Sequence, residues 1–188
     1  MRDPFRWLPI PYRGRALALL AGLAVVLMAT LNILGVPLRT EASPAGIISY
    51  EFAGSLGASN RILEAWGEEG RTYAGLNLGL DYLFLLAYAG AIALGCVVAA
   101  RSLREHVPVL AAIGMFLAWA VIGAGLLDGI ENYALIRLLL GSSGASLPAV
   151  ARWCAALKFL LVALSLLYVV VGGLTVGILR LRPSTAKA

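Results

Sequence analysis

Residues 123–133 read GAGLLDGIENY. They lie inside an apolar stretch, about residues 109–140, whose length suits a membrane-spanning helix, yet they carry Asp128, Glu131 and Asn132. Positions i, i+3 and i+4 share one helical face, so all three polar groups point the same way. An ionised carboxylate near the bilayer centre costs about 2.5–3.5 kcal/mol on insertion scales, and two without partners would strain a lone helix. The rest of the chain must answer that face.

Composition sets the solvent. Hydrophobic residues make up 61% of the chain and charged ones only 13%, and the mean hydropathy is +0.88, which excludes an ordinary soluble domain. The 188 residues leave room for about four spans of ~20 residues with short connections. The formal charge of +5 does not indicate nucleic acid, because the basic residues stand at span ends and form no patch interleaved with aromatics. Cys96 and Cys154 fall near opposite ends of their spans, so neither a disulfide between them nor a redox pair is expected.

Working outward from the quoted stretch gives one integral membrane domain, residues 1–188, with four spans. The opening MRDPFRWLPIPYRGR is basic, broken by proline and marked by Trp7 and Tyr12, the make-up of an interfacial collar. The first span is expected at about 16–38, longer than the apolar region of a signal peptide and without a clear cleavage site after it. Ser43-Pro44 reads as a helix start and Gly67 or Gly70 as its stop, giving an amphipathic helix over about 44–66. Its apolar stripe is Ile48, Phe52, Leu56, Ser59, Leu63 and Trp66, with Arg61, Glu64 and Glu68 opposite. Glu51 flanks the stripe beside Ile47 and Ile62 and is the one acid of this helix expected to face inward. The second span, about 73–100, places Asn77, Asp81 and Tyr88 on one face. The third is the stretch already described, and the fourth, about 149–179, contains Lys158.

The collar, the turn Arg101, Arg104, Glu105, His106, and the tail with Arg180, Arg182 and Lys187 all fall on one side. The positive-inside rule places that side, and both termini, in the cytoplasm of a cell (inner or plasma) membrane. The expected fold is an all-α four-transmembrane-helix bundle, with the extra amphipathic helix on the outer face between the first two spans. At 1.5 Å per residue, Asp81, Glu131 and Asn132 lie about 10 Å below the outer ends of their spans, Lys158 about 12 Å, and Asp128 about a turn deeper than Glu131. Asn32 is somewhat shallower. Polar groups from every span therefore share one layer in the outer half of the membrane, while the inner halves carry no acidic or basic side chain.

That layer holds three carboxyls, Asp81, Asp128 and Glu131, against one ammonium, Lys158, and Glu51 would add a fourth acid. A net negative site in a low dielectric is disfavoured. The surplus is relieved by protonation, by Arg137 and Arg152 snorkelling in from the rim, or by a cationic ligand. The plainest account is structural: Lys158 pairs with Asp128 or Glu131 and the amides join helices, as polar groups in membranes do at about 0.6–2 kcal/mol each. One ion pair would suffice for that purpose, and surplus acids only add cost, which favours a functional pocket.

The expected site is a pocket for a lipid or other amphiphile, with Glu51, Trp66, Asn77, Asp81, Asp128, Glu131, Asn132 and Lys158 as its residues and Glu51 and Trp66 closing the top. Whether it is an enzyme stays open. Any chemistry would be carboxyl proton transfer, with Asp128, Glu131 and Lys158 as catalytic candidates. An all-oxygen site for magnesium, manganese or calcium is conceivable from Asp81, Asp128, Glu131 and Asn132, but Lys158 competes for the carboxylates, and no metal or cofactor is assigned. His106 belongs to the solvated basic turn. The alternatives are a transport or assembly component using the carboxyls as a proton or cation relay, in which a homo-oligomer would complete the path, and a purely structural charge network. Membrane lipids are the expected surroundings, and nucleic acid is not an expected partner.

The runs GIISYEFAG, LDYLFLLAY, GLLDGIENYAL and LKFLLV resemble a pattern found in uncharacterised four-helix integral membrane proteins of bacteria. The resemblance spans residues 46–162 and implies the architecture without an activity. Asp81, Asp128 and Glu131 are also loosely similar to the acids of the sterol-isomerase and sigma-2-receptor superfamily, which sit in an intramembrane lipid pocket. The histidine expected of the isomerase branch is missing here. The DDxxD motif of polyprenyl transferases and the DGxxAR signature of CDP-alcohol phosphotransferases are missing as well.

Overall fold

The computed structural model describes residues 2–181; Arg182 and Lys187 of the basic tail lie outside the described residues. Among the described residues the regular elements are all helices, four of them long and apolar enough to cross a membrane. α1 (Ile10–Leu34) starts after Pro9 in extended conformation, with a second proline in its first turn, and stops at Gly35. A single 3-10 turn, Val36–Leu38, follows. The connection to the next long helix contains only the five-residue α2 (Ile47–Glu51). α3 (Leu56–Leu103) is the longest element, α4 runs Pro108–Leu139 with proline again in its first turn, and α5 runs Leu147–Leu181.

The amphipathic segment differs from its expected form. Ser43 does not cap a helix: its hydroxyl donates to Leu38 O at 2.7 Å and accepts from Trp66 Nε1 at 2.9 Å. The cap is Ser55, whose hydroxyl accepts from the Ala58 backbone N–H at 3.3 Å. Residues 39–55 therefore form a strap around α2, bracketed by Gly46 and Gly54 at positive φ. Helix begins again only at Leu56. At Gly67 the backbone turns to φ 60°, ψ −161°, which breaks α3 into a short arm and a long one. Only glycine takes that conformation without strain. Arg71 Nε donates to Leu63 O across the break at 3.0 Å. On the short arm Ser59, Ile62, Leu63 and Trp66 are buried and Arg61 and Glu64 exposed, Glu68 is exposed just past the break, and Ile48 and Phe52 of the expected stripe are exposed.

α3 packs against α1, α4 and α5, and α5 also packs on α4. Close approach depends on small side chains: a methyl at Gly125 of α4 would meet Ala89 of α3 at 3.1 Å. Two buried apolar clusters result. One gathers Leu85, Ala93, Val97, Leu117, Val121 and Tyr168; the other gathers Leu38, Tyr50, Trp66, Leu78, Leu135 and Leu138. In α3 and α4 the acids fall between the two, Asp81 between Leu78 and Leu85, and Asp128 between Val121 and Leu135.

At the opposite end the collar folds into a clasp. Buried Arg13 donates to Asp3 Oδ2 at 2.7 Å, Phe5 O at 2.6 Å and Leu8 O at 3.1 Å. Arg101 at the end of α3 reaches Asp3 at 3.4 Å, and Trp119 of α4 donates to Arg2 O at 2.9 Å.

Candidate functional site

Lys158 is the hub. Its Nζ donates to Asp128 Oδ1 at 2.6 Å and to Glu131 Oε1 at 2.9 Å, all three side chains buried. Asp128 and Glu131 stand one turn apart on α4, so a lysine from α5 can reach both at once. Nζ is also 2.9 Å from Glu131 Oε2, so the ammonium is in ion-pair contact with both oxygens of that carboxylate. The second oxygen of Asp128 accepts from Tyr88 OH of α3 at 2.8 Å. Asp128 is therefore held from two other helices, by an ammonium on one oxygen and a phenol on the other.

A second pair lies beside the hub. Asn132 Nδ2 donates to Asp81 Oδ2 at 2.6 Å, joining α4 to α3. Asp81 and Asp128 are direct neighbours, and so are Glu51 and Glu131. Glu51 reaches the layer from the strap, 8% exposed, with Oε2 unpartnered. Burial pushes its carboxyl up to about 7; Lys158 works against this, and the charges of Asp128 and Asp81 add to it. Four carboxyls thus surround one amine. The rim arginines do not relieve them: Arg137 is exposed and donates to Tyr133 OH at 3.2 Å, and Arg152 is exposed with its side chain against Gly54.

The layer opens into a cavity of about 580 Å³ between α1, α3 and α5. Glu51, Asp81, Asp128, Asn132 and Lys158 line its polar end, and Arg39 stands there too. Ala21, Val25 and Met28 of α1, Phe84 and Ile92 of α3, and Val162 and Leu166 of α5 line its apolar length. From Asp81 to Ile92 the wall of α3 extends about 16 Å at the helical rise. Val25, Met28, Phe159 and Leu166 are all exposed, so the cavity is open along its side as well as at its polar end.

Not every expected residue reaches the cavity. Glu131 is fully buried behind Lys158 and outside the lining. Trp66 does not close the top. Its ring packs edge-on to Tyr50 at 5.2 Å, and its indole N–H donates to Leu38 O at 2.8 Å as well as to Ser43, so it fastens the strap that carries Glu51. Asn77 lines the wall, but its amide donates to Leu31 O at 2.9 Å and ties α3 to the end of α1. Two contributors stand outside the expected set. Tyr88 shares the face of Asp81 at helical spacing, a signal that was legible; Arg39 sits in the strap, where periodicity says nothing.

Cys96 and Cys154 are free thiols. Among the described residues no group of three or more histidines, cysteines, aspartates or glutamates has the geometry of a metal site. Comparison with protein families, with curated proteins and with solved structures yields no match, so the site is read from its own chemistry and the resemblances drawn from sequence add no argument to it.

Proposed function

We propose that this chain is a multi-pass membrane protein whose intramembrane cavity holds a lipid or another amphiphile. The four spans form one bundle, the clasp end and both termini face the cytoplasm of the cell membrane, and the short arm of α3 with the strap lies over the outer face. The observation that carries the reading is the polarity gradient within a single cavity: acids and a lysine at one end, about 16 Å of apolar wall beyond them. A volume near 580 Å³ lies within the range of small-molecule pockets, roughly 300–1,000 Å³. The exposed side between α1 and α5 gives a chain a route from the bilayer.

A structural charge network accounts for Lys158, Asp128 and Glu131, which answer one another. It leaves Asp81 and Glu51 on the cavity surface without a cation of their own. A proton or cation relay would need polar groups continuing to the clasp end. The buried polar side chains on the way there, Cys96, Ser165 and Tyr168, are uncharged, and each donates to a backbone carbonyl in the region of the apolar Ala93, Val97, Leu117 and Val121. If the site transforms its ligand, the reaction is proton transfer by Asp128, with Lys158 and Tyr88 holding its two oxygens in place.

Native mass spectrometry of the protein extracted from its own membrane tests the reading. Wild type is expected to carry a lipid-sized adduct, and Met28→Trp, which projects a large ring into the apolar length from an exposed position, to carry much less. Wild-type protein that flies bare would overturn it.

A further inference from the structure

The geometry points to a protonated amine as the head group that this cavity accepts, making its ligand a long-chain amine and not a fatty acid, alcohol or phosphate ester. The inference rests on the reading of the cavity as an amphiphile site and names the class of amphiphile. Lys158 spends its hydrogen bonds on Asp128 and Glu131, and Asp128 receives a further one from Tyr88. Asp81 has only the Asn132 amide. Glu51, more than nine-tenths buried, directs an unpartnered oxygen into the same layer. These two carboxyls line the polar end from different walls, α3 and the strap, and the one further cationic side chain lining the cavity among the described residues is Arg39, which is exposed at its rim.

An incoming head must therefore do two things: donate hydrogen bonds to acceptors on opposite walls, and supply the positive charge with which Glu51, otherwise holding its proton to about 7, can ionise beside the other acids. A carboxylate or phosphate head does neither, since it offers acceptors to acceptors and adds like charge. A hydroxyl donates once and carries no charge. An ammonium donates three times from a single point charge. The walls next to the polar end suit it as well: Phe84, Tyr88 and Phe159 line the cavity, and ring faces attract cations.

A head-group series at constant tail tests this on the full chain in detergent or nanodiscs. Dodecylamine, dodecanol and dodecanoate are titrated against wild type near neutral pH. Dodecylamine is expected to bind at least about tenfold tighter than dodecanol, the factor that one charge-assisted hydrogen bond can supply, and dodecanoate to bind weakest. Asp81→Asn and Glu51→Gln should each bring the amine-to-alcohol ratio down towards one. Dodecanol or dodecanoate binding as tightly as the amine would overturn the amine assignment while leaving an amphiphile site in place. Failure of all three tails to bind would overturn the site itself. The wild-type series decides the assignment even if a variant does not fold.

Discussion

The two ends of the helices handle charge in opposite ways. At the clasp one acid, Asp3, is held by two arginines, Arg13 at 2.7 Å and Arg101 at 3.4 Å. In the layer at the other end one lysine serves four acids. The surplus at the clasp is inexpensive, because the Arg101 side chain is 44% exposed and water can solvate what protein leaves over. In the layer the side chains of Lys158, Asp128 and Glu131 are 8%, 3% and 0% exposed, and surplus charge there meets a large desolvation penalty. A bundle needing only adhesion would keep the pair and shed the extra acids. Their presence at the costly end, on the wall of a cavity, is what the proposed amphiphile site accounts for and adhesion alone does not.

The largest expected effect that can break this contrast is removal of the single amine. Lys158→Met leaves the buried carboxyls without a counter-charge and should cost about 3–5 kcal/mol, read as a lower unfolding temperature in detergent; the double change with Glu131→Gln should recover part of it. A Lys158→Met protein as stable as wild type would show that the layer is not organised around the amine. A middle-sized effect comes from pH. An ordinary glutamate loses its proton near 4.5, whereas Glu51 in the folded chain keeps it to about 7. Between those values the folded state binds a proton that the unfolded state has released. Stability should therefore fall as pH rises from about 4.5 through about 7 and level off above. Glu51→Gln should flatten that slope, and an unchanged slope would place Glu51 outside the layer. The smallest effect belongs to the clasp: Arg101→Ala should change stability by no more than about 1 kcal/mol, since Arg13 still holds Asp3. A loss comparable to that of Lys158→Met would erase the distinction between the ends.

Much of the layer was legible before any coordinates. Spacing put Asp128, Glu131 and Asn132 on one face, and counting from span ends put Asp81 and Lys158 at the same depth; the hydrogen bonds Lys158–Asp128, Lys158–Glu131 and Asn132–Asp81 join those very residues. The strap was harder to read. Ser43-Pro44 has the local chemistry of a helix start, but the Ser43 hydroxyl is claimed by Leu38 and Trp66 from elsewhere in the chain. Trp66 looked like a lid because apolar periodicity says that a residue is covered without saying by what.

The sequence by itself determined that four segments are long and apolar enough to cross a membrane, the position of each ionisable group along its segment and the imbalance of their charges. These follow from composition and from a fixed rise per residue, which are properties of one segment at a time. Only the tertiary structure decided that Tyr88 completes Asp128, that Glu131 stands behind Lys158 instead of on the cavity, and that the gap opens between α1 and α5. Those depend on how far apart separate helices stand and how each is turned about its axis, and both are set by side-chain packing between segments distant in the chain.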